Sequence, residues 1–145
     1  NYRTVKQIAG LYLFGFSDSP SSIHYNAHNP FHSNGIIKCC AFGILKHPKL
    51  YFTDKTIGSH SHWITLLNKY YNRKHLIDDR FHFRQLRKST YKEAGGQALN
   101  RTLETEKRDT LFLRMTFGES VVLKKQKKKG TTMQHPYQRT IKAKI

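Results

Sequence analysis

Nine histidines and two cysteines are the first places to look for chemistry in these 145 residues. His24, His28 and His32 recur at intervals of four, and His60 and His62 flank Ser61. A zinc site needs convergent Cys and His donors at characteristic spacings on a rigid frame. The first three histidines instead fall in a stretch broken by Pro30. Cys39 and Cys40 are direct neighbours inside an apolar run, without a C-x-x-C spacing. The expected roles are solvated or phosphate-contacting histidines and small buried thiols, with no metal and no cofactor. Nucleophilic catalysis finds no better footing: there is no G-x-S-x-G elbow and no P-loop. Asp78-Asp79 is the only adjacent acidic pair, and its expected role is to cap a helix. Neither an enzyme nor a small-molecule substrate is expected.

Cations and rings are abundant. The chain has 26 Lys and Arg against 9 Asp and Glu, a formal charge of +17. With a pI near 10.1 it has the electrostatic footprint of a nucleic-acid binder. No apolar run approaches the roughly 20 residues of a spanning helix, so no membrane partner is expected. Between Glu119 and Ile145 there is no acidic residue, while Lys124, Lys125, Lys127, Lys128, Lys129, Arg139, Lys142 and Lys144 accumulate. The natural counter-charge for such a run is a polyphosphate. Upstream, rings and cations interleave in Tyr70-Tyr71-Asn72-Arg73-Lys74-His75 and in the stretch from Arg80-Phe81-His82-Phe83-Arg84 to Arg87-Lys88. Rings stack on unpaired bases while Arg and Lys grip phosphates. The expected RNA-binding set is therefore Arg73, Lys74, Arg80, Arg84, Arg87, Lys88 and Lys92 together with the cations of the tail. Phe81 or Phe83 is expected to face the core while Arg84, Arg87 and Lys88 face phosphate.

The elements that must position these groups can be read from hydrophobic periodicity. Val5 to Phe16 suits a short buried helix, followed by a Ser/Pro turn and a polar loop from His24 to Gly35. Ile36 to Leu45 reads as a buried strand and Leu50 to Thr53 as another. Trp63, Leu66, Leu67, Tyr70 and Tyr71 fall at helical spacing and predict a helix over residues 61–74. Arg80 to Ala94 reads as a second helix, N-capped by Asp78 or Asp79, and Gln97 to Arg108 as a third. Asp109 to Leu123 reads as a β-hairpin, because Leu111, Leu113, Met115 and Phe117 alternate with polar or cationic partners and Phe112. An apolar content of 37% is below the usual range of about 45–50%, which permits only a modest core. The expected fold class is α+β: a small mixed core over residues 1–123, with short strands and two to four helices, and a basic extended C-terminal tail over residues 124–145. Asn1 in place of an initiator methionine is compatible with a removed leader, an organellar transit peptide among the options.

Two resemblances bear on function. The stretch Leu13-Phe14-Gly15-Phe16-Ser17-Asp18-Ser19-Pro20-Ser21-Ser22-Ile23 resembles the end of the helix-and-turn motif of LAGLIDADG homing endonucleases and maturases. Those proteins set an apolar, glycine-containing helix before an acidic metal ligand, and the resemblance puts Asp18 near that position. Ser19-Pro20-Ser21 replaces the residues that normally follow, so what it implies is a decayed, non-cleaving relative. By type, the whole pattern resembles an organellar ribosomal protein, a small basic core with an extension that threads into rRNA. That resemblance implies rRNA and neighbouring ribosomal proteins as partners. It implies a mitochondrial location, with cytoplasm or nucleus as alternatives, and phosphate contacts that position without reading sequence.

Overall fold

The computed structural model describes residues 2–17, 25–38, 41–83, 100, 102–119, 122–126 and 137–141. The fold class is α+β, and the chain divides into two compact units. One comprises Asn1–Phe52 with Ser61–Leu86, the other Thr53–His60 with Arg87–Ile145. Among the described residues no helix is long and apolar enough to cross a membrane.

In the first unit, helix α1 (Tyr2–Gln7) precedes strands β1 (Leu13–Ser17), β2 (Phe31–His32) and β3 (Phe42–Ile44), helix α2 (His60–Asn72) and strand β4 (Leu76–His82). The strands form one mixed sheet in the order β2-β4-β1-β3. β1 runs parallel to β4 and antiparallel to β3, while β2 runs antiparallel to β4. A parallel pair needs a long crossover, and the β1-to-β4 connection contains α2.

The helix expected over Val5–Phe16 is not formed: α1 ends at Gln7 and Leu13–Ser17 is a strand. The reason lies in the burial of this segment. Leu11, Leu13 and Gly15 are buried while Tyr12, Phe14 and Phe16 between them are partly exposed, a period of two. The residues quoted for the LAGLIDADG-like helix therefore form a strand, and Asp18 lies outside the described residues. Leu13 joins Ile37, Ile64 and Ile77 in the core, with Phe42, Ile44 and Leu50 packed against them. On the other face Phe14 lies over Gly43, its partner across the β1–β3 ladder, where any Cβ would collide with the ring.

Helix α2 matches its expected span closely. Trp63, Ile64, Leu66 and Leu67 are buried, and Trp63 Nε1 donates to the Tyr51 carbonyl at 2.8 Å. Thr65 Oγ1 accepts from the Ile37 amide at 3.1 Å, which ties the 36–38 segment to the helix. The stripe ends earlier than its spacing suggests, because Tyr70 and Tyr71 are exposed. Asn68 Nδ2 donates to the Lys74 carbonyl at 2.7 Å, and Arg73 adopts a left-handed φ of 63° where the helix stops.

Three other expectations in this unit are corrected. Arg80 does not start a helix: Leu76–His82 is a strand, so Asp78 and Asp79 are strand residues and cap nothing. Of the strand expected over Ile36–Leu45, Cys39 and Cys40 lie outside the described residues, and among the described ones only Phe42–Ile44 form a strand. Leu50 to Thr53 is not a strand; its Leu50 amide closes a turn onto the His47 carbonyl at 3.2 Å.

The second unit holds helix α3 (Leu103–Phe117) and the antiparallel strands β5 (Val122–Gln126) and β6 (Tyr137–Ile141). The hairpin expected over Asp109–Leu123 is overturned, since α3 runs through Phe117. Thr102 and Thr105 form a capping box: each backbone amide donates to the other's hydroxyl, at 2.9 and 3.2 Å. Glu106, Asp109, Thr110 and Leu113 are buried at helical spacing, whereas Leu111 and Met115 are exposed. Asp109 accepts from the Ile57 amide at 3.1 Å and the Gly58 amide at 2.8 Å, so the carboxylate is buried with backbone partners.

Candidate nucleic-acid interface

The C-terminal half of β4 carries the densest meeting of rings and charge among the described residues. The β1–β4 ladder is regular through Phe16 opposite Asp78 and then jumps to Ser17 opposite His82. The register thereby skips Asp79, Arg80 and Phe81 of β4. Bulges of this kind bend a strand and re-aim its side chains. Here the excursion is pinned at both ends, by the Asp79 amide on the Pro30 carbonyl at 2.9 Å and the Phe83 amide on the Ser17 carbonyl at 3.3 Å.

Arg80 is fixed within it. Nε donates to Asp78 Oδ1 at 3.0 Å and Nη2 to Oδ2 at 2.9 Å, a two-pronged grip in which the Asp78 carboxylate raises the guanidinium pKa above its ordinary value. Its Cζ stands 4.7 Å from the centroid of Phe31 and 5.7 Å from that of Phe81. Phe16 meets Phe83 edge-on at 5.5 Å and Phe81 at 6.3 Å. Neither Phe81 nor Phe83 turns to the core: both are about half exposed, at 54% and 48%. That corrects the sequence expectation and leaves four phenylalanines and one guanidinium clustered on one patch.

A second ring–cation cluster sits at the C-terminal end of α2. Tyr70 and Tyr71 pack edge to face at 4.9 Å, and Lys49 Nζ lies 4.8 Å over the Tyr71 ring. The exposed Arg73 and Lys74 follow directly, with Lys74 Nζ 3.4 Å from the Ala9 carbonyl. Arg73 and Lys74 precede β4 while Arg80 is near its end, about 20 Å further along an extended chain. The three described cations of the expected set in the first unit thus fall into two places. Lys124 and Lys125 of β5 and Arg139 of β6 belong to the second unit, where Lys124 is the register partner of Arg139. Arg84, Arg87, Lys88, Lys92, Lys127, Lys128, Lys129, Lys142 and Lys144 lie outside the described residues.

Sequence reasoning missed an open cleft of about 280 Å³ beside the phenylalanines, lined among others by Phe16, Ser17, His32, Asn34, Lys38 and Ile77. His32 Nδ1 is 2.7 Å from Asp79 Oδ2, a pairing that joins residues 47 positions apart and leaves no local signal. Behind it His75 is buried, and neither ring nitrogen meets a well-aligned hydrogen-bond partner. Burial first, with the Lys69 and His32 charges behind it, lowers the His75 pKa to about 4 against a small upward pull from the Asn34 backbone. Of the spaced histidines, His28 is exposed, His32 pairs with Asp79 and His24 lies outside the described residues. Among the described residues no three His, Cys, Asp or Glu side chains are grouped so as to hold a metal ion. Compared with protein-family models, with curated proteins and with solved structures, the chain matches none.

Proposed function

We propose that this protein is a structural RNA-binding component of a ribosome or similar ribonucleoprotein, and that it binds rRNA through phosphate contacts and stacked rings. The observation that carries the reading is the patch of Phe16, Phe31, Phe81 and Phe83 around Arg80, with two of its rings about half exposed in a chain of net charge +17. Exposed rings beside cations are what unpaired bases and their phosphates require. The charge is not confined to the tail: the first unit holds ten Lys and Arg against three Asp and Glu. Neighbouring ribosomal proteins are further partners, and an organellar ribosome, mitochondrial by type, is the assembly proposed.

Sedimentation of the native assembly through a sucrose gradient tests it. Migration with a ribosomal subunit, released by high salt, is the expected result. A free monomer without RNA overturns the reading, and metal-dependent duplex cleavage that is lost in Asp18→Ala would replace it with the endonuclease alternative.

A further inference from the structure

The cleft beside the phenylalanines has a composition of its own. At about 280 Å³ it lies just under the roughly 300–1,000 Å³ of pockets that enclose a drug-sized molecule, which leaves room for a sugar–phosphate group. Its lining is polar on one side. Lys38 supplies a cation, Asn34 an amide, and Gly35 a left-handed turn (φ 85°) with open space above its Cα, so a ligand can approach the backbone closely. Asp79 orients the His32 ring through Nδ1, and when Nδ1 carries the proton Nε2 is the acceptor. Phe16 lines the cleft and also packs edge-on against Phe81 and Phe83, so the ring patch and the cleft share a wall. A base lying on those rings has its own backbone at the cleft mouth.

We infer that the cleft is a single-nucleotide subsite: an unpaired ribonucleotide stacks its base on Phe81 and Phe83 and seats its sugar–phosphate against His32 and Lys38. This rests on the RNA-binding reading and sharpens it to single-stranded RNA, because a base inside a duplex cannot leave its stack to lie on protein rings without a cost of a few kcal/mol.

Fluorescence anisotropy of the full chain with a labelled oligouridylate tests the subsite. Lys38→Gln should weaken binding and lower the slope of log affinity against log salt by about 0.7, the share of one single-strand phosphate. His32→Ala should weaken it roughly 2- to 10-fold, and His32→Gln, which keeps an amide beside Asp79, less. Because His32 is 40% exposed but Asp79 only 14%, circular dichroism of all three variants has to show the native spectrum before their affinities are compared. If these variants bind like the parent chain while Phe81→Ala/Phe83→Ala does not, the subsite is wrong and the RNA-binding reading stands. If the parent chain binds no RNA, both fall. Equal competition by duplex RNA or by polyglutamate overturns the subsite in favour of indifferent polyanion binding.

Discussion

At the bulged end of β4 the cation is fixed, since Arg80 donates two hydrogen bonds to the buried Asp78 and lies against two rings. At the C-terminal end of α2 the arrangement is the reverse. Arg73 and Lys74 are exposed, and Arg73 sits in a left-handed conformation that glycine or asparagine usually takes after a helix. One patch holds its charge rigid and offers ring surface. The other presents Arg73 to solvent at the expense of backbone strain, with Lys74 Nζ beside the Ala9 carbonyl. A guanidinium already held by a carboxylate has less to give a phosphate than one in water, whereas rings clamped by their neighbours lose little entropy when a base stacks on them. The first patch is suited to stacking and the second to electrostatic attraction.

The largest effect that separates them is on affinity. Removing both rings in Phe81→Ala/Phe83→Ala should weaken single-stranded RNA binding by about 1–3 kcal/mol per stacked base. The salt slope should barely move, and a marked fall in that slope would erase the distinction drawn here.

The next effect, on stability, comes from pH. His75 lies between the second patch and β4, and its pKa is lowered from 6.5 to about 4 in the folded chain. The unfolded chain therefore takes up the proton first as pH falls. Stability is full above about pH 6.5, declines between there and pH 4, and levels off below. By pH 5 the loss should be about 2 kcal/mol, and chemical denaturation at pH 7 and pH 5 would measure it. His75→Gln should flatten that difference. Because His75 stands in the unit that carries both patches, acid should weaken them together, so the contrast between them has to be measured at neutral pH.

The smallest effect is at Arg73. Arg73→Gly should relieve the left-handed strain and raise the unfolding free energy by up to about 1 kcal/mol, while lowering the salt slope of RNA binding by about 0.7. A variant that is both less stable and unchanged in salt dependence would break the account of this patch.

Much of this architecture could be read in the sequence where burial follows residue polarity. The α2 stripe of Trp63, Leu66 and Leu67 is apolar and buried, so its period was visible. In α3 three of the four positions that face inward are polar: Glu106, Asp109, whose carboxylate accepts from the Ile57 and Gly58 amides, and Thr110, whose hydroxyl donates to the Glu106 carbonyl. What remained on display was Leu111, Leu113, Met115 and Phe117, an alternation that mimics a strand although Leu111 and Met115 are exposed. β4 was obscured differently. Its bulge breaks the period of two just where Arg80 and Phe81 occur, so cations and rings at irregular spacing read as a helix face. The net charge of +17 is legible in full, whereas the expectation that Phe81 or Phe83 faces the core fails, since both rings are about half exposed. Phe16, Phe31, His32 and Asp79 were not seen as a site, because strand pairing brings them together from three separate segments.

The shortness of β2 matters for how the molecule survives in concentrated solution. A sheet with rings near its rim invites another chain to pair along the open edge and start a fibre. β2 is that edge, and it offers only Phe31 and His32, with Pro30 immediately before and the turn at Gly35 soon after. Two residues are too few to template an added strand, and a proline cannot donate to one. The greasy end of the sheet can therefore stay uncovered without that side recruiting a second copy of itself.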